Sequence, residues 1–237
     1  MAIKAAAQRV VESDLSRSGI YSVSDAASLI CASSQSIRAW IDGWPDSETP
    51  PIIEDDLGWV DGRLAFSFAN LMEFRFVAFF VDAGVKLREI RKNMDEARVT
   101  LHLRHPFATN VVFKTDGSKI VAEIAHRNGV ADIYDLKSKN FEMVTVVYMS
   151  LKEGVVYDPK GNAEAWFPRR ALAPNVIVHP RLAFGRPVLR GNGIPTEAIA
   201  STFKAEDSID TTAMLFEISR SRVKEAVAFE TDLERAA

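Results

Sequence analysis

Two short runs of polar and cationic residues carry the chemistry that can be read from this 237-residue chain. The first is Ser34, Gln35, Ser36 and Arg38, with Arg63 further along; the second is Arg220, Arg222 and Lys224. On a helix, positions three apart share a face, so Gln35 and Arg38 project together. Arg pairs with guanine and Gln with adenine at base edges in a major groove. Arg63, beside Asp61-Gly62, suits a phosphate or the minor groove. The same residues also suit an ordinary pair of packed helices with a solvated arginine. In the second run Glu217, Glu225 and Glu230 lie close to the three cations. That near balance of charge fits dimerisation or protein docking as well as it fits DNA.

Other chemistry is poorly represented. His102 and His105 are three apart, but no cysteine or second carboxylate pair completes a metal-ligand set. Gly191-Asn192-Gly193 lacks the spacing of a phosphate-cradling P-loop, and a turn accounts for it. No serine occupies a nucleophile-elbow pattern. We therefore expect no catalytic residues, no metal and no cofactor, and a protein that is not an enzyme. The single cysteine, Cys31, excludes an internal disulfide and fits a reducing cytoplasm. No apolar run approaches the ~18 residues of a membrane helix, and the first seventeen residues lack the apolar core of a secretion signal. The net charge of −3 argues mildly against nucleic acid as a partner, although such partners are read by local patches.

These residues need elements to hold them. The expected helices are Ala5–Ser16, Ser22–Ile30 capped by Ser22 or Ser24, and Gln35–Ile41 capped by Ser33 or Ser34. Ile37 and Trp40 should face the core. Pro45, Pro50 and Pro51 forbid further helix, and Trp44–Asp61 is an acidic loop. Gly58-Trp59-Val60, the turn Asp61-Gly62 and Leu64-Ala65-Phe66 read as a two-stranded wing. A long helix follows from Ser67 to about Ala83, with Leu71, Phe74, Ala78 and Val81 on one stripe and Phe76, Phe79 and Phe80 widening it. This breadth makes it the expected dimer contact. Gly84 should end it, and Lys86–Ala97 should form another helix.

Hairpins are expected at Val111–Ala122, around Thr115–Ser118, and at Val155–Phe167, around Asp158–Gly161, with a further strand at Ala131–Tyr134. Phe141–Leu151 is consistent with either helix or strand, and Pro168–Pro174 reads as a linker. The run His179–Thr196, HPRLAFGRPVLRGNGIPT, is a glycine- and proline-punctuated lead into Thr211–Phe216 and Ser219–Phe229. There Gly191 and Gly193 permit positive φ, and Pro195 can open a helix. The fold class is α+β, mainly helical. The expected divisions are 1–104, a winged helix-turn-helix with connector helices; 105–175, a β-containing middle; and 176–237, a second helix-turn-helix.

Three segments, Tyr21–Gly43, Gly62–Ser67 and Leu71–Phe76, together with Ala83–Arg91, resemble the winged helix-turn-helix of MerR-like regulators. The acidic, proline-rich loop before the wing departs from that pattern. Val176–Pro180, Phe184–Leu189, Arg190–Thr196 and Val223–Phe229 resemble a small antitoxin domain found beside PIN-like ribonuclease toxins, as in VapB-type antitoxins. Gly191-Asn192-Gly193-Ile194-Pro195 stands where that family usually has Gly-Thr-Arg-Ile-Pro. His105–Thr109 and Thr115–Gly117 resemble proteins that join the two modules. The resemblance implies an antitoxin that binds and inhibits a PIN-like ribonuclease toxin and represses its own operator as a homodimer. The rival expectation is a MerR-like ligand-responsive transcription factor, with Phe107, Phe113, Tyr134, Tyr148 and Trp166 lining a sensor pocket or simply forming core.

Overall fold

The structure is a computed structural model that describes residues 18–42, 51–115, 120–125, 131–135, 140–141, 149–150 and 154–236; within 112–153 it describes strand backbone only. The expected Ala5–Ser16 helix, the start of the acidic loop and most of Phe141–Leu151 lie outside these residues. The fold is α+β, as expected, with helices and antiparallel sheets. It forms two compact units, each drawn from separated stretches of chain. One takes residues up to Ile37, Asp55–Phe68 and from Glu164 onward; the other takes Arg38–Glu54 and Ala69–Ala163.

In the first unit, strand β1 (Tyr21–Ser22) runs into helix α1 (Val23–Ile30). Ser22, of the two serines considered, supplies the cap. Its Oγ accepts from the Asp25 N–H at 3.2 Å, and the Asp25 carboxylate accepts from the Ser22 N–H at 2.9 Å. This reciprocal pairing satisfies two of the donors that a helix start leaves without partners. The helix ends at Cys31 in the left-handed region, φ 58°, and Ala32 N–H returns to the Ala27 carbonyl at 2.9 Å. Ser33 then caps the next helix, α2 (Ser34–Asp42), accepting from the Ser36 N–H at 3.0 Å.

Strands β2 (Gly58–Val60) and β3 (Arg63–Phe66) form the expected hairpin, with Val60 opposite Arg63. Asp61 and Gly62 both have positive φ, 48° and 74°, which matches the backbone twist that a two-residue hairpin turn needs. The sheet order is β1-β3-β2.

From β10 (Ala163–Trp166), Trp166 pairs with Val178 of β11 (Val176–Val178). β11 in turn pairs antiparallel with β12 (Pro187–Leu189) in the register Val176↔Leu189. Every residue of β11 is buried. Three helices follow: α5 (Thr196–Glu206), α6 (Ile209–Leu215) and α7 (Arg220–Ala236). Pro195 immediately precedes α5. Ser208 caps α6, accepting from the Thr211 N–H at 3.2 Å. On α7, Val223, Ala226 and Phe229 recur at three-residue spacing and are fully buried, as is Ile199 of α5. Burial of each larger side chain among them is worth about 1.5–3 kcal/mol. Helix α7 runs on to Ala236, about two turns beyond the expected end at Phe229.

In the second unit, α3 (Phe68–Asp82) ends at Gly84, φ 87°. Gly84 N–H bonds the Val81 carbonyl at 2.9 Å and Val85 N–H bonds the Phe80 carbonyl at 2.9 Å, the paired bonds of a glycine-terminated helix. The expected stripe needs correction. Leu71, Phe74, Val77 and Phe80 are fully buried and Phe76 nearly so, whereas Val81 is 38% exposed and Ala78 is half-buried. The buried sector is turned by the need to enclose Glu73 and Phe76 as well. Phe79 is half-buried, so α3 keeps some apolar surface at Ala78, Phe79 and Val81.

Helix α4 (Leu87–Leu101) buries Ile90, Asn93, Met94 and Ala97. It is followed by a short 3-10 turn at Pro106–Ala108, where Phe107 stacks on Phe76 with ring centroids 3.4 Å apart. Trp40, expected in the core, is 4% exposed, and its carbonyl accepts from both Ile52 and Ile53 N–H at 2.8 and 3.1 Å. Strands β4 (Val112–Thr115), β5 (Ile120–Ala125), β6 (Ala131–Asp135), β7 (Asn140–Phe141) and β8 (Met149–Ser150) form an antiparallel sheet in the order β7-β6-β5-β4-β8. Strand β9 (Val155–Tyr157) leads into the 158–161 turn, where Asp158 accepts from the N–H groups of Lys160 and Asn162. Those bonds to the charged form hold the Asp158 carboxyl below its ordinary range.

Candidate functional site

The local folding of the first turn decides how its polar residues are presented. Ser33 is committed to capping, and Ser36 Oγ lies 2.8 Å from Ser33 Oγ, so the Ser36 hydroxyl is occupied within the cap. Ser34, Gln35 and Arg38 are exposed. Gln35 and Arg38 stand one turn apart on α2, while Ile37 between them is fully buried. Arg63 is exposed at the start of β3, next to the Asp61–Gly62 turn. Trp59, on the facing strand, is 74% exposed. The acidic character before the hairpin is partly internalised: Asp56 accepts from Ser67 Oγ at 2.6 Å.

The C-terminal cations are differently placed. Arg220 pairs with the exposed Asp210 of α6. Arg222 donates from Nη1 to the Arg190 carbonyl at 2.8 Å, tying the start of α7 to the turn after β12. Lys224 is exposed. Ser219 stands just before α7, with its hydroxyl 2.8 Å from Ser221 Oγ. The Gly191–Gly193 turn has φ 99° and 68° at its two glycines; Gly193 N–H closes on the Leu189 carbonyl at 3.0 Å.

Arg169, which no local signal singles out, holds the first unit together. Its Nη1 donates to the Leu29 carbonyl at 2.8 Å and its Nη2 to the Ser28 carbonyl at 3.0 Å. The same Nη2 lies 2.9 Å from Cys31 Sγ, and Nε pairs with Asp232 of α7. A cation at the last carbonyls of α1 also complements the helix dipole. Pro168–Pro174, expected to be a linker, is therefore packed: Ala173 is fully buried and its N–H bonds the Arg169 carbonyl at 2.7 Å.

The His179–Thr196 run is anchored just as closely. Ile20 N–H donates to the Phe184 carbonyl at 2.9 Å, and Gly185, φ 90°, lies directly against the Tyr21 ring. Burial, with Asp25 adding, pushes the Tyr21 phenol well above its ordinary range. Thr196 Oγ1 donates to the Glu230 carboxylate, yet burial raises that carboxyl overall.

In the second unit, the fully buried Glu73 faces Arg98 Nη2 at 3.6 Å and His105 Nδ1 at 3.2 Å. His105 is thus a partner for a buried carboxylate, while His102 is the exposed residue that ends α4. Among the described residues, no three His, Cys, Asp or Glu gather as a metal site would require. No described helix is long and apolar enough to cross a membrane. Of the pocket aromatics, the side chains of Phe113, Tyr134 and Tyr148 lie outside what is described. Phe107 and Trp166 are buried.

Three comparisons bear on this arrangement. Residues 176–229 match the model of a family described as a protein of unknown function, DUF433. The chain is 21% identical, over 88% of its length and 92% of the relative's, to a Mycobacterium tuberculosis protein named "Putative antitoxin VapB45". It is also similar to the crystal structure of Rv2018 from Mycobacterium tuberculosis, with a TM-score of 0.61, 14% identity, and coverage of 88% of this chain and 96% of that one. At that identity, the likeness establishes a shared fold.

Proposed function

We propose that this chain is the antitoxin of a type II toxin–antitoxin pair. It binds and inhibits a PIN-like ribonuclease toxin, and it represses its own operon by binding operator DNA. The observation that carries the reading is the match to a protein named as an antitoxin across nearly the full length of both chains. Supporting it is the helix, tight turn, helix and hairpin of Val23–Phe66, with Gln35, Arg38 and Arg63 exposed. A winged helix-turn-helix has its elements in this order and lays the second helix in the major groove.

In this reading Ser34, Gln35 and Arg38 contact bases or phosphates and Arg63 contacts backbone. Ser36 acts through the cap. Lys224 contributes a phosphate contact, and Arg220 and Arg222 hold the C-terminal module in shape. The active species is a homodimer, because two half-sites are read by two-fold symmetric proteins. The protein acts in the cytoplasm, where its operator and toxin are.

The test is co-expression with the adjacent reading frame, followed by purification on a tag carried by that partner. A stable complex in which the partner's ribonuclease activity is suppressed is the expected result. Failure to form a complex, with the neighbour encoding an unrelated enzyme or transporter, overturns the reading.

A further inference from the structure

The C-terminal module carries a cationic cluster that is not confined to one helix. Arg170, Arg190 and Arg222 come from three separate stretches: the turn before β11, the turn after β12, and the first turn of α7. Two of them share one aromatic ring. The Arg170 guanidinium carbon is 5.9 Å from the centroid of Phe167, and that of Arg190 is 6.0 Å from it. Arg222 is joined to the group by its bond to the Arg190 carbonyl. Arg190 N–H donates to the Asn175 carbonyl at 2.7 Å, and Asn175 is in turn held by Glu225. The backbone carrying Arg190 is thereby fixed from both sides.

Three features give this cluster a chemical preference. Arg170 and Arg190 are exposed and Arg222 is half-buried. Among the described residues, no carboxylate lies within ion-pair distance of any of the three. By contrast, Arg169, Arg186 and Arg220 each have one. A guanidinium over a ring face is held by the ring's quadrupole, with its N–H edge left available. Two such edges gathered on one ring suit phosphate oxygens.

We infer that Arg170 and Arg190, ordered around Phe167 with Arg222 anchoring the Arg190 turn, form a second nucleic-acid phosphate site beside the C-terminal module. The site takes the sugar–phosphate backbone of duplex DNA and is indifferent to base sequence. This rests on the DNA-binding part of the proposed function and adds to it Arg170 and Arg190, which lie outside both helix-turn-helix segments. The acidic total charge of the chain does not oppose it, because phosphate contacts depend on local cations.

The experiment measures binding of the full chain to two labelled duplexes across a potassium chloride series. One duplex spans the region upstream of its own reading frame; the other has a scrambled sequence. The variants are Arg170→Gln/Arg190→Gln and Arg170→Lys/Arg190→Lys, both with Arg222 retained because it anchors the turn. Two lost phosphate contacts should lower the slope of log affinity against log salt by about 1.8, equally on both duplexes. The lysine variant should keep the wild-type slope. Circular dichroism melting of both variants checks that the module remains folded.

An unchanged slope in a folded glutamine variant, with the wild type binding DNA, overturns this site and leaves the DNA reading standing. Absence of wild-type binding to either duplex overturns both. Loss of complex formation with the partner protein, without any change on DNA, assigns the cluster to an acidic protein surface and overturns the phosphate site.

Discussion

The helix after Ser33 and the helix after Ser219 begin alike, each behind a serine and each with a buried apolar residue within its first turn, Ile37 and Val223. They differ in what their polar residues are doing. On α2, Gln35 and Arg38 point to solvent. On α7, Arg220 is paired with Asp210 and Arg222 is bonded to the Arg190 carbonyl. A helix whose cations are committed to its own fold has less to offer a ligand than one whose cations are left over. The contrast explains why two similar sequence patterns should not be given the same role.

Four measurements test this contrast. The largest effect is expected at Arg169, the residue that ties α1 to α7. Arg169→Ala removes two bonds to helix-terminal carbonyls and the partner of Asp232, and should cost about 3–4 kcal/mol in urea unfolding. Loss of under ~1 kcal/mol would mean that the two helical regions are not joined through this residue.

Next is Gly185→Ala. An added Cβ would lie 2.7 Å from Tyr21 Cζ and 3.0 Å from Gly19 Cα, at φ +90°. We expect about 2–3 kcal/mol of destabilisation from overlap and backbone strain. Tyr21→Phe in the same background should recover part of this loss, since the Tyr21 hydroxyl has no hydrogen-bond partner among the described residues.

The direct comparison of the two helices is Arg38→Ala against Arg220→Ala. The first should weaken operator binding by about 1–3 kcal/mol. The second, which removes an exposed ion pair, should change stability and DNA affinity by no more than ~0.5 kcal/mol. Equal losses in gel-shift titrations would erase the distinction between the two helices.

The smallest effect is expected at Glu230. Its folded pKa is raised by burial, so the folded state binds protons more readily than the unfolded chain. The resulting destabilisation is absent below the ordinary carboxylate pKa, grows as pH rises towards the raised folded value, and is complete above it. Glu230→Gln should therefore raise the melting temperature at pH 7 and lose that advantage in acid. Because the group is partly solvated, the gain should stay under ~1 kcal/mol, or about 2–4 °C. A gain that persists unchanged to pH 3 would show that the carboxyl's burial is not its cause.

Much of the local structure could be read from the residues alone. Ser22 and Ser24 announce a helix start, Asp61-Gly62 a two-residue hairpin turn, and Gly84 a helix end. Each depends on hydrogen bonds that close within a few residues. Helix α5 was signalled only by Pro195, because its single exposed and buried positions do not form a clear stripe before the partner helix is known. On α3, the residues from Leu71 to Phe80 are apolar in nearly every direction, so periodicity alone could not orient the buried sector. The candidate site was legible in the same uneven way. Gln35 and Arg38 stand out from spacing, whereas the commitment of Arg220 and Arg222 to internal partners does not.

Most of the elements and the residue types they display follow from local sequence, since propensity, capping and turn chemistry act over short range. Which cations are occupied is settled by long-range packing. Arg169 reaches Ser28 and Leu29 across about 140 positions of chain, and Phe167 gathers Arg170 and Arg190 from either side of a β-hairpin. Whether an arginine is a structural clamp or a surface for a ligand depends on the carboxylates and carbonyls that folding brings within reach, and long-range proximity has no local signature.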